Sequence, residues 1–175
     1  DLAAIPTPQK AKRNRAVTGH GGKRPPITIK TLSLDPEKLE RINDQLQEKF
    51  RRIADTEKRH ESYRTEDAEI IFCAYGSASR IAMNSVDILR RKNVAAGLIR
   101  PQTLWPFPDQ PLQALPPICR QILCVEMSCG QMVDDVRLAV GERIPIAHYG
   151  RSGGIIPAPD ELVNEAERLL GRYKP

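Results

Sequence analysis

Aromatic side chains are scarce in this chain: they make up 5% of its 175 residues, with one tryptophan, Trp105. Binders of single-stranded nucleic acid stack bases on such rings, so the shortage weighs against that class. No apolar run approaches the roughly 20 residues that span a bilayer. No hydrophobic core of a secretory signal is visible at the start. Neither a Walker phosphate loop nor a Gly-x-Gly-x-x-Gly fingerprint occurs. His20, His60 and His148 are scattered, and none has a second ligand at helical metal spacing. Of four cysteines, Cys119, Cys124 and Cys129 recur every five residues, which is no ferredoxin spacing. Cys73 and Cys124 fall inside strand-like runs and read as small core hydrophobes. Reduced thiols and a cytoplasmic setting are the expectation, with no nucleic-acid or membrane partner.

What charge there is lies unevenly. Residues 1–67 carry 15 Lys and Arg against 11 Asp and Glu, and residues 68–175 carry 12 against 11. Most of the net charge of +5 therefore belongs to the first part. Residues 1–31, with Pro6, Pro8, Pro25, Pro26 and a cluster of bases, read as an extended basic arm or linker. Such an arm either lies on a neighbouring domain or binds a phosphate-rich polymer.

Residues 32–67 read as a linker helix. Asp35 is placed to cap it, Pro36 suits its first position, and Glu37 suits its positive end. Leu39, Ile42, Leu46, Phe50 and Ile53 recur every three or four residues and draw one apolar stripe to about residue 60. Glu37–Arg41 and Glu48–Arg52 are favourable pairs one turn apart.

From residue 68 to 175, strands and helices alternate. Apolar runs at Ile70–Tyr75, Val94–Ile99, Gln121–Val125 and Ile144–His148 predict strands. Helices are predicted after the first, third and fourth of these runs, with a short one over Gln110–Leu115. Alternation of this kind predicts a doubly wound, mostly parallel α/β sheet with right-handed crossovers. Continuously apolar strands mean that both faces are covered.

Functional residues belong at the carboxyl edge of such a sheet. After the first strand, Gly76 and Ser77 open a helix, and Ser77 reads as its cap. After the third, Glu126 ends the strand, and Ser128 with Gln131 fits a capping box. In the loop after Arg100, three prolines stiffen the chain around Trp105 and Phe107, a combination that anchors contacts. Arg151 follows the fourth strand and suits a pair with an acid across an interface. The interface candidates are thus Arg100, Trp105, Phe107, Glu126, Gln131 and Arg151. No residue is assigned a catalytic, cofactor-binding or metal-binding role.

The wording of these segments is itself specific. AEIIFCAYGSASRIA (68–82), RPQTLWPFP (100–108), VEMSCGQM (125–132) and HYGRSGGIIP (148–157) resemble the C-terminal portion of the α subunit of 2-oxoacid:ferredoxin oxidoreductases. That portion is core domain II, which has a transketolase C-terminal-like fold. LSLDPEKLE (32–40) with LQEKF (46–50) is most similar to the 2-oxoisovalerate branch. The resemblance implies an enzyme complex that converts a 2-oxoacid, coenzyme A and oxidised ferredoxin into acyl-CoA, carbon dioxide and reduced ferredoxin. Thiamine diphosphate, Mg2+ and iron–sulfur clusters are implied for the whole enzyme, and none for this stretch. About as much chain again would precede residue 1 in a whole subunit. The expected partners are that missing N-terminal domain and the other subunits, with ferredoxin and CoA at the level of the complex. By itself the chain is expected to brace other domains and to be inactive. The alternative is a stand-alone flavodoxin-like binding or regulatory module.

Overall fold

The computed structural model describes residues 19, 21–23, 25–28 and 30–173. Most of the arm expected over residues 1–31 lies outside them. The chain divides into two compact units, residues 1–44 and 45–175.

Helix α1, Pro36–Thr56, starts where the sequence predicts. The Lys38 amide donates to Asp35 Oδ1 at 3.1 Å, so Asp35 is the cap. No residue of α1 is buried, and its apolar stripe stays half exposed. Glu48 pairs with Arg51 at 2.8 Å, in place of the expected Arg52.

The second unit is built on a five-stranded sheet. Its strands are β1 (His60–Tyr63), β2 (Ile70–Ala74), β3 (Ala96–Pro101), β4 (Gln121–Glu126) and β5 (Ile146–Gly150), in the order β1-β3-β2-β4-β5. Strands β2 to β5 are parallel, and β1 runs antiparallel to β3, His60 opposite Pro101 and Tyr63 opposite Leu98. The doubly wound, mostly parallel sheet predicted from the sequence is thus present. Strand β1 was not read from the sequence: its residues, HESY, carry no apolar alternation. They pair because Glu61 meets Arg100 at 3.0 Å and Gln102 at 2.7 Å across the strands.

Every residue of β2 and β4 is buried. On one face, α2 (Gly76–Arg91) and α5 (Pro159–Leu169) cover Phe72, Leu98, Leu123 and Val125. On the other, α4 (Met132–Val140) and the short α3 (Gln110–Gln113) cover Ile71, Ile99, Ile122 and Cys124. Cys73 and Cys124 stand opposite each other on neighbouring strands, and both are core residues. Burial pushes the Cys73 thiol up to about 12 and the Cys124 thiol higher still. Both therefore stay protonated and unreactive.

Two ion-pair staples close the amino edge of the sheet. Arg90 forks onto Asp67 at 2.7 and 2.8 Å and also donates to the Ala96 carbonyl. Glu69, almost buried, accepts from Arg120 at 3.0 Å and from Arg172 at 3.1 Å. Arg172 thereby ties the C-terminal segment to the start of β2.

Candidate functional site

The carboxyl ends of β2, β3, β4 and β5 face one edge, and the winding reverses between β2 and β4. Open α/β sheets bind their ligands at such a reversal. Two helices begin there, and the chain treats them differently.

At the end of β4 the Glu126 side chain is fully buried. Its Oε2 accepts from the Ser128 hydroxyl at 2.7 Å, the Gln131 amide at 3.1 Å and the Met132 amide at 3.0 Å. Its Oε1 accepts from the Val133 amide at 3.1 Å. The Cys124 thiol lies 3.8 Å away on the same oxygen. Burial by itself raises the pKa of such a carboxyl. Here the hydrogen bonds from Ser128 and three backbone amides outweigh it, and Glu126 titrates below the ordinary carboxylate range. The carboxylate also sits at the positive end of the α4 dipole.

This overturns the expected capping box. Ser128 caps nothing; it serves Glu126, and Gln131 is the residue before the first turn, with no side-chain cap of its own. The cap arrives instead from the strand that precedes the loop. Gly130, at φ +104, makes the loop turn late enough for this. The His148 ring lies against the same loop, its buried Nε2 3.4 Å from Glu126 Oε1 but without the angle of a hydrogen bond. Gly150 lets the loop close, since a Cβ there would collide with the Ser128 carbonyl and the His148 ring.

At the end of β2 the pattern is open. Tyr75 occupies the cap position of α2 with no side-chain hydrogen bond to the helix. Ser77 is exposed in the first turn and caps nothing, contrary to its sequence reading. Ser79 folds back onto the Gly76 carbonyl at 2.7 Å.

The remaining candidates disperse. Arg100 is tied to Glu61 on β1. Arg151 pairs with Glu161 at 2.7 Å within its own domain, where Glu161 also accepts from the Tyr149 hydroxyl at 2.8 Å and the Ala158 amide at 3.2 Å. Gln131 is exposed. The loop after β3 splits its aromatic pair: Phe107 packs against the α4-side core, whereas Trp105 faces outward. Trp105 meets Phe50 of α1 edge to face, with centroids 5.5 Å apart and rings at 80°. No sequence signal paired those two residues. Among the described residues, no three His, Cys, Asp or Glu side chains converge on a metal position. No described helix is long and apolar enough to cross a membrane.

Comparison with known proteins adds a frame to this geometry. Residues 68–162 match the family described as pyruvate:ferredoxin oxidoreductase core domain II. Over 143 residues the chain is 41% identical to the ketoisovalerate oxidoreductase subunit VorB of Methanothermobacter thermautotrophicus, a stretch covering 82% of this chain and 40% of that subunit. It is 35% identical over 101 residues to the 2-oxoglutarate synthase subunit KorA of Methanothermobacter marburgensis, covering 58% of this chain and 27% of that one. The chain therefore spans about two fifths or less of the length of these curated relatives. Among solved structures it resembles a 2-oxoglutarate:ferredoxin oxidoreductase from Magnetococcus marinus with 2-oxoglutarate, coenzyme A and succinyl-CoA bound. The TM-score is 0.65 at 21% identity, over 78% of this chain and 24% of that one. At that identity the likeness is one of fold.

Proposed function

This chain belongs to the pyruvate:ferredoxin oxidoreductase core domain II family, and on that premise we propose that it forms part of the α subunit of a thiamine-diphosphate-dependent 2-oxoacid:ferredoxin oxidoreductase. The proposed substrate is the branched 2-oxoisovalerate. The complete complex would release carbon dioxide from the 2-oxoacid, pass the acyl group to coenzyme A and the electrons to ferredoxin.

One observation carries the choice of branch. A match of 143 residues within 175 cannot begin after residue 33 or end before residue 143, so the VorB likeness takes in all of α1 as well as strands β1 to β4. The KorA likenesses are shorter, at 96 to 130 residues, and lower in identity, at 31 to 35%.

On this reading the buried acids serve the fold rather than a cofactor. Glu126, the most buried acid, is engaged by its own helix, and Glu69 by two arginines. Thiamine diphosphate, Mg2+ and the clusters are therefore assigned to other parts of the complex, and no chemical step is assigned to this chain. Its role is to brace: a rigid sheet whose exposed edge, including Gln131 and the loop before it, meets neighbouring domains.

The test is the complete complex assayed for CoA-dependent ferredoxin reduction with 2-oxoisovalerate, pyruvate and 2-oxoglutarate. The expected result is the highest kcat/KM for 2-oxoisovalerate. A preference for 2-oxoglutarate would overturn the branch. Turnover of any 2-oxoacid by this chain alone would overturn the bracing role.

A further inference from the structure

We infer that Phe50 and Trp105 form the centre of a docking surface for the part of a VorB-length subunit that lies outside this chain, and that the docking edge is apolar with a carboxylate facing Lys49. The inference rests on the reading above and deepens it by naming the surface and the chemistry of its partner.

The surface joins two segments distant in sequence. From α1 come Leu46, 41% exposed, and Phe50, 40% exposed; from the loop after β3 come Leu104, 47% exposed, and Trp105, 60% exposed. Single exposed apolar residues are ordinary, but large ones gathered around an aromatic pair mark an interaction site. Trp and Phe anchor contacts because they bring much apolar area at little cost in rotamer freedom.

The platform beneath them is firm. The Gln102 amide donates to the Arg59 carbonyl at 2.9 Å, and the Arg59 amide to Thr103 Oγ1 at 3.0 Å. Thr103 Oγ1 donates to the Pro106 carbonyl at 2.9 Å. Lys58 holds Asp109 at 2.6 Å, and Pro106, Pro108 and Phe107 turn inward. Of the two loop aromatics, then, one fastens the loop to its own core and the other meets Phe50 and is otherwise exposed.

Two observations define the occupant. The first is charge. At 100° per residue, Lys49 borders the stripe on the flank nearer Leu46. Its ammonium has no ionic partner among the described residues, whereas Arg51, Lys58 and Arg59 are each paired. A second copy of this surface would bring another lysine to the same rim, and the acids of the adjoining segments, Glu57 and Asp109, are already paired with Arg59 and Lys58. The second is length. Three fifths of VorB lies beyond the matched stretch, and α1 lies wholly inside that match. A subunit of that length has chain available to cover the patch.

The experiment introduces Phe50→Ser with Trp105→Ser, and separately Lys49→Glu, into the complete oxidoreductase complex. The denaturation midpoint of this chain is followed alongside. The double variant should weaken assembly on the order of 30-fold, with the midpoint of the chain unchanged. Lys49→Glu, a surface change that leaves the fold alone, should also weaken assembly, and by less as salt rises. Unchanged assembly in both variants overturns the inference. So does a collapse of the midpoint in the double variant with Lys49→Glu assembling normally. Self-association of the wild-type chain that the double variant abolishes would give the surface to a second copy and overturn it too. A complex that assembles as expected but oxidises no 2-oxoacid would instead defeat the functional reading and leave the docking surface standing.

Discussion

The two crossovers that begin at the carboxyl edge, β2–α2 and β4–α4, share a topology and differ in how their helices start. In β4–α4 a buried carboxylate reaches forward and takes three backbone amides. In β2–α2 the first turn has no side-chain cap. The first arrangement fixes a loop and a helix to a strand end from within. The second leaves the amides of a helix start facing the edge. A sheet can thus be rigid on one side of its reversal point and available on the other, with a single acid making the difference.

Removing that acid should break the contrast most severely. Glu126→Ala strands several buried donors, and the expected loss is about 3 kcal/mol or more in urea denaturation. A loss below 1 kcal/mol would mean that water replaces the carboxylate freely. The same acid predicts a pH dependence. Its folded pKa is depressed, so its contribution is present above the ordinary unfolded-state value, roughly 4.3, and fades as pH falls through the lower folded value. Over that acid range Glu126→Gln should show a flatter stability profile than the wild type; parallel profiles would remove Glu126 as the source.

Gly150→Ala tests the loop that the carboxylate holds. The added methyl meets the Ser128 carbonyl, and overpacking of this kind costs about 1–3 kcal/mol. Backbone can shift at an open loop, so an effect near zero would show that Glu126 does not fix it. Asp35→Ala supplies the exposed counterpart of the buried cap. It should cost α1 about 0.5–2 kcal/mol, seen as faster amide exchange over residues 36–56 with the sheet unaffected. Ser77→Ala should change stability by less than about 0.5 kcal/mol. A larger loss would mean that Ser77 caps α2 after all and that the two crossovers are alike.

Much of this was open to reading in the chain. Asp35–Pro36–Glu37 announces a helix start because every signal there is local. Buried runs such as IIFCA and QILCVE announce parallel strands because both their faces are apolar. What escaped depends on groups that meet only in three dimensions. Ser128 and Gln131 have capping-box spacing, yet Gly130 delays the helix and hands the amides to Glu126. HESY carries no pattern; its partner strand lies nearly forty residues on. Trp105 and Phe107 are two residues apart in one stiff loop, and nothing in the sequence says which ring turns inward. The packing of Leu112, Met132 and the α4 face decides that.

Strand β1 has a consequence for how the protein behaves in concentrated solution. Without it, β3 would offer a bare, mostly apolar rim, AGLIRP, whose backbone groups could template pairing with other molecules. The added strand is four residues long, runs the opposite way and is polar along its length, with Glu61 held against Arg100 and Gln102. A rim so short and so charged is a poor seed for intermolecular strand exchange. The segment that hands the chain from α1 to the sheet thus also acts as a guard against aggregation.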